Sequence, residues 1–215
     1  NVISTFFGRF NQSWDAGTTP GTRLRDWLDP IALNNVTQNG YTRPVLSTYT
    51  ISGKITTPKG IPIPQVRVVL TGPRPDSVLT DSLGNYSFKN LGAGFTYIVR
   101  PRLDTLPLNG VTTQDISLIS QHILNLRPLA TPWLMLAADA NNSGTISTLD
   151  AVAIRRIILG IDENLARQPA WRFHRTHTVF PDLSNPFTGT VFQEETRIDK
   201  LERNESGIDF YGIKI

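Results

Sequence analysis

Asp139-Ala140-Asn141-Asn142-Ser143-Gly144-Thr145-Ile146-Ser147-Thr148-Leu149-Asp150 carries oxygen-bearing side chains at positions 1, 3 and 5. Glycine follows at 6, an apolar residue at 8, an oxygen at 9 and a carboxylate at 12. That is the spacing of a calcium-binding loop. Calcium is a hard cation that takes about six to eight oxygens at about 2.3–2.6 Å, and alternate residues of a tight turn can point inward together. Asp139, Asn141, Ser143 and Asp150 are the expected side-chain ligands, with the Thr145 carbonyl as a fifth and Ser147 acting through water. Gly144 permits the bend, Ile146 anchors the loop to a core, and Asp150 enters from the first turn of the next helix. Two carboxylates balance the charge of one Ca2+. Their small number, and Asp rather than Glu at position 12, place the site at the weak end of affinity, suited to calcium-rich extracellular fluid.

Outward from this loop the apolar residues recur with helical spacing. Val152, Ile154, Ile157 and Ile158 follow Ser147-Thr148, and Ile116, Ile119, Ile123 and Leu124 follow Thr113, read here as an N-cap. The two runs are copies of one another: GVTTQDISLISQHILNL from Gly110 aligns with GTISTLDAVAIRRIILGI from Gly144 with one gap. Val111 and Ile146 each stand four positions before an Asp, Asp115 and Asp150. The first copy is poorer in oxygen. With Asp115 at position 12, Asp104 falls at position 1, but Leu106 and Leu108 occupy positions 3 and 5. Two readings stand for it: a degenerate second site from Asp104, Asn109, Thr113 and Asp115, or an empty turn held by packing.

Upstream, residues 49–102 change to short alternating runs. YTISGKIT, VRVVLTG, SVLTD, NYSFKN and FTYIVR are each bounded by Gly, Pro, Asn or Asp, which predicts a small antiparallel β-sandwich. Asp81-Ser82-Leu83-Gly84-Asn85 is a turn cluster joining two of the strands. The predicted fold class is therefore mixed. A β-sandwich over 49–102 is followed by an EF-hand-like paired loop–helix module over 103–162 and an extended C-terminal segment over 163–215. Residues 1–48 are irregular in pattern but rich in aromatics, including Phe6, Phe7, Phe10, Trp14 and Trp27, and are read as extended chain packed on something.

Residues 104–162 resemble a dockerin, the paired loop–helix module of secreted bacterial proteins. Residues 49–102 resemble the carboxypeptidase regulatory-like (transthyretin-like) sandwich, through Ile51-Ser52-Gly53-Lys54-Ile55, Ile63-Pro64-Gln65-Val66-Arg67-Val68 and Thr80-Asp81-Ser82-Leu83-Gly84-Asn85-Tyr86-Ser87-Phe88. The order of these parts, with Trp171-Arg172-Phe173 and the closing Phe210-Tyr211-Gly212-Ile213-Lys214-Ile215, is similar to a module of very large surface or secreted proteins of Bacteroidetes-type bacteria. The dockerin resemblance implies a cohesin-like protein partner. It places Arg155 and Arg156 of the second copy, with Thr148 and Leu149, at the contacting positions, where Ser120 and Gln121 stand in the first. The other reading of Arg155-Arg156 is a solvated helix face.

The remaining features bound the function. Net charge is +3 and the cations are scattered, which argues against nucleic acid as a partner. No stretch approaches the roughly 18 consecutive apolar residues of a membrane span. Cysteine is absent, so neither disulfides nor thiolate metal sites hold the chain. No G-x-S-x-G, phosphate-cradling glycine loop or Ser/His/Asp arrangement is present. His174 and His177 read as a surface pair rather than zinc ligands, since residues three apart on a strand face opposite ways. Val179-Phe180-Pro181 reads as a short strand or anchor, and Asp209–Ile215 as a closing strand that continues into further chain or pairs with a partner. The expected role is a non-catalytic, calcium-stabilised structural or adhesive module, extracellular or on the cell surface, contacting neighbouring domains or a protein partner. The alternatives are a cohesin-type docking module and an accessory domain of a secreted hydrolase.

Overall fold

The computed structural model describes residues 47–103, 108 and 110–215, together with two short strands, β1 (Thr37–Gln38) and β2 (Tyr41–Thr42), that pair antiparallel. The aromatic residues of 1–36 and the candidate ligands Asp104 and Asn109 lie outside the described residues.

The alternation of residues 49–102 forms β3 (Thr48–Thr56), β4 (Arg67–Thr71), β5 (Asp76–Leu79), β6 (Asn85–Gly92) and β7 (Tyr97–Arg102). Every second residue points into one core, where Ile51, Ile55, Val66, Val68, Leu70 and Val99 have no exposed surface. The expected turn is held by Asp81, whose Oδ1 accepts from the backbone N–H of Leu83 and Asn85 at 2.9 and 2.8 Å. These bonds, that from Asn85 foremost, hold the Asp81 carboxyl below its ordinary pKa.

Beyond them come α1 (Thr113–Ile123), α2 (Pro132–Ala138) and α3 (Thr148–Ile158), then β8 (Trp171–Arg175), β9 (Thr196–Ile198) and β10 (Phe210–Lys214). The last three strands belong to the sandwich. One sheet has the order β6-β3-β10-β8 and the other β5-β4-β7-β9, so the sandwich extends well past residue 102 and is built from two separated stretches of chain. One pairing departs from the antiparallel expectation: β10 runs parallel to β3, with Phe210 opposite Ile55. Gly53 makes room for this closure, since a Cβ there would collide with the Ile208 carbonyl and the Tyr86 hydroxyl. Tyr86 in turn donates to that same carbonyl at 2.5 Å.

Strand β10 faces two cores. Phe210 lies in the sandwich interior, while Ile213 and Ile215 lie under the helices with Ile119, Leu136, Ala151 and Ile154. Burial of one such side chain contributes about 1.5–3 kcal/mol, so a single terminal strand ties helices to sheet with several kcal/mol of apolar contact.

The repeat in the sequence is a repeat in structure, offset by 35 residues. α1 and α3 start at Thr113 and Thr148 and end at Ile123 and Ile158. Each closes on a left-handed residue, Asn125 or Gly160, whose N–H bonds back to His122 or Ile157. The N-cap of α1 is Thr112 rather than Thr113, because Thr112 stands where Ser147 stands in the second copy. Leu124 and Val152, expected inside, are 66% and 46% exposed, since each lies past or beside the stripe that meets the other helix. Val179-Phe180-Pro181 is not a strand; Phe180 instead packs edge-on to Trp133 of α2.

Candidate metal centre

Asp139 caps the C-terminus of α2 and is 3% exposed. Its Oδ1 accepts from the Ser143 N–H and its Oδ2 from the Gly144 N–H, both at 2.8 Å. The chain turns sharply between them, with Asn142 at φ 54° and Gly144 at φ 77°. A Cβ at Gly144 would meet nothing within 4 Å, so conformation rather than space favours glycine there. The turn brings the predicted oxygens together: Ser143 Oγ lies 3.1 Å from the Thr145 carbonyl and 3.5 Å from Asp139 Oδ1.

Asp150 closes the other end. It is fully buried in the first turn of α3, and its Oδ1 accepts from the Asn141 N–H at 3.1 Å. Its Oδ2 accepts from the Ser147 N–H at 2.8 Å and lies 3.2 Å from Ser147 Oγ, forming a capping box. Ile146 packs against the helical core. Asn141 Oδ1 is buried and has no hydrogen-bond partner among the described residues.

The electrostatics follow from burial. Two carboxylates sit out of water, and among the described residues neither has an ion-pair partner. Backbone and hydroxyl dipoles hold them in place without neutralising them. Buried charge is ordinarily paired or bound to metal. No three His, Cys, Asp or Glu side chains gather among the described residues, so a donor set here would be the two carboxylates completed by neutral oxygens. That set suits a hard cation such as calcium rather than zinc. A cavity of about 220 Å³ adjoins Gly144, Thr145 and Ile146, and none of the predicted side-chain ligands lines it.

Two residues at this site carry no sequence signal. Gln168 donates through Nε2 to the Asp139 carbonyl. Arg172, on β8, donates through Nη1 to Asn142 Oδ1 at 3.2 Å and through Nε to Glu194 Oε1 at 3.0 Å. Both reach the loop from the C-terminal segment, whose local pattern says nothing of the partner.

In the first copy Asp115 repeats the capping geometry, its Oδ2 accepting from the Thr112 N–H at 2.8 Å. Thr113 is an exposed residue of the helix and occupies the place of Thr148, one position beyond the loop's ninth. At the expected partner face, Thr148 and Arg155 are exposed and Leu149 is 66% exposed. Arg156 is engaged: its Nε and Nη2 donate to the two oxygens of Asp162 at 2.6 and 2.7 Å. That pairing raises the guanidinium pKa and lowers the carboxyl pKa.

The histidines do not form the expected surface pair. His177 is exposed, but His174 has no exposed surface and lies between Trp133 and Phe192, 6.3 and 5.0 Å between ring centroids. Burial, with Arg172 nearby, lowers its pKa to about 4.

A family model for the carboxypeptidase regulatory-like domain matches residues 50–115, which takes in β3 to β7 and the start of α1. No curated protein matches the chain. Among the described residues no helix is long and apolar enough to cross a membrane.

Proposed function

We propose that this chain is a non-catalytic, calcium-stabilised structural module of a large secreted or cell-surface protein, with a dockerin-like loop–helix pair mounted on the sandwich. The observation that supports this most is the burial of Asp139 and Asp150, 3% and 0% exposed, without a cationic side chain to pair them. Asp139, Asn141, Ser143, the Thr145 carbonyl and Asp150 are the groups that would hold the ion, with Ser147 fixing Asp150 from the helix cap. Bound calcium supplies the positive charge that this buried pair lacks. The chain's own part is to present oxygens already gathered by the Ser143 and Gly144 N–H bonds, so little ordering remains on binding. Calcium at a hundredfold over its Kd would then stabilise the fold by about 2.7 kcal/mol, in a chain without disulfides.

Thermal unfolding in calcium and in EDTA tests this. The melting temperature of the wild type should rise with calcium, and Asp139→Ala or Asp150→Ala should remove the rise. A wild-type curve that EDTA leaves unmoved overturns the proposal.

A second reading, docking to a cohesin-like partner, draws on the exposed apolar residues of α3 and its end: Leu149, Val152 and Leu159, 66%, 46% and 64% exposed, flanked by Arg155. It requires a calcium-dependent partner whose binding falls when Arg155 and Arg156 are both changed to Ala.

A further inference from the structure

The sheet β5-β4-β7-β9 turns one face to the core and the other to solvent. On the solvent face stand Arg67, Val69 and Thr71 of β4, Ser77 and Leu79 of β5, Ile98, Arg100 and Arg102 of β7, and Arg197 of β9. Four of these are arginines and none is a carboxylate. Arg67 lies directly opposite Arg102 in the β4–β7 register, and Arg100 is opposite Val69. Side chains directly opposite on neighbouring strands have Cβ atoms about 4.5–5.5 Å apart, and like charges at such a pair are destabilising. Arg100 reaches Glu194 and Glu195 only at 3.9 Å, and Arg197 pairs with Asp199 at 2.8 Å. The side chains of Arg67 and Arg102 have no carboxylate or other hydrogen-bond partner among the described residues.

We propose that Arg67 and Arg102, extended along β7 by Arg100, form a binding strip for a linear acidic polysaccharide bearing carboxylate or sulfate groups. The guanidinium forks match such groups bidentately, and an anion between Arg67 and Arg102 removes the repulsion that the fold otherwise carries there. Nucleic acid fits less well, because no aromatic side chain stands among the outward positions to stack a base. The carboxylates of Glu194, Glu195 and Asp199 border the strip on the β9 side and would meet a wide phosphate duplex, while a single chain centred on Arg67 and Arg102 meets that border only beside Arg100. A membrane surface fits poorly too: Leu79, 52% exposed on β5, is the one outward apolar side chain that projects, since Val69 and Ile98 are half-buried.

The test uses the whole chain at low ionic strength with heparin and polygalacturonate as probes, and neutral dextran, a short DNA duplex and phosphatidylserine vesicles beside them. The acidic polysaccharides should bind and be released by salt. Arg67→Thr with Arg102→Thr should lower affinity roughly tenfold or more. Arg67→Glu should abolish binding without loss of melting temperature, since it replaces a like-charge pair by an opposite one. The proposal is overturned if neither polysaccharide binds, if Arg67→Glu binds as the wild type does, or if dextran, DNA or vesicles are held as tightly.

Discussion

Arg172 Nη1 lies 3.2 Å from Asn142 Oδ1, so the second residue of a sandwich strand holds the fourth residue of the candidate metal loop. Gln168 does the same from the preceding segment, through the Asp139 carbonyl. The loop is therefore held in part by chain that follows it, through hydrogen bonds 29 and 30 residues apart in sequence.

If calcium binds here, Arg172→Ala and Gln168→Ala should each weaken it. A typical hydrogen bond contributes about 0.5–1.5 kcal/mol net, which corresponds to a roughly two- to tenfold loss of affinity. Isothermal titration with calcium reads this directly. Undiminished affinity in both variants would show that the loop stands without the sheet.

The two copies of the repeat should separate under mutation. Asp115→Ala removes the hydrogen bond that the N3 carboxylate of α1 accepts from the Thr112 N–H, at a cost of about 0.5–1.5 kcal/mol, and calcium should stabilise that variant as it does the wild type. Asp150→Ala removes the same cap from α3 and should also lose the calcium response. For a chain of this size, 1 kcal/mol moves the melting temperature by about 2–4 °C, within easy measurement. A calcium response lost equally in both variants would point to a second ion bound at the first copy.

His174 makes the fold sensitive to acid. Its pKa is lowered by burial from 6.5 to about 4, with Arg172 pushing it further down and Glu194 pulling it up. Trp133 and Phe192, which flank the ring, carry no charge. The unfolded chain therefore takes up this proton first, and stability attributable to His174 is full above pH 6.5 and falls as the pH drops towards 4. The shift amounts to about 3 kcal/mol at most. Urea unfolding at stepwise pH should show the loss, and His174→Phe should flatten the curve across that window. An unchanged slope in the variant would assign the acid sensitivity to other groups.

Much of this architecture is legible in local pattern. Ile51 and Ile55 with Asp81-Ser82-Leu83-Gly84-Asn85 mark strands and a turn, because alternation and Asx chemistry act within a few residues. The repeat is legible for the same reason, through Val111/Asp115 and Ile146/Asp150, although the cap of its first helix falls on Thr112, one residue before the Thr113 that the pattern suggests. The parallel seating of β10 beside β3 is not, since it depends on contacts some 155 residues apart, such as that of Lys54 N–H with Asp209 Oδ1 at 2.7 Å. The burial of His174 is not legible either, for a related reason. Alternation along a strand reaching His177 is what the pattern predicts, but β8 stops at Arg175 and His177 lies in the turn beyond it, and no local signal shows that a short helix of seven residues covers His174 with Trp133.

Gly53 gives the sharpest test of how sandwich and helices are joined. Its missing Cβ lets the Ile208 carbonyl approach β3 closely enough to accept the Tyr86 hydroxyl. Gly53→Ala forces that carbonyl away, and overpacking of this kind costs about 1–3 kcal/mol. The strain falls at the entrance to β10, whose Phe210 and Ile213 sit in different cores. Hydrogen exchange in Gly53→Ala should therefore quicken in α1 and α3 as well as in β3. Tyr86→Phe, which deletes only the hydroxyl and leaves the backbone in place, should lower stability by about 1 kcal/mol with the helices still protected. Exchange confined to β3 in Gly53→Ala would mean that β10 does not carry strain from one core to the other.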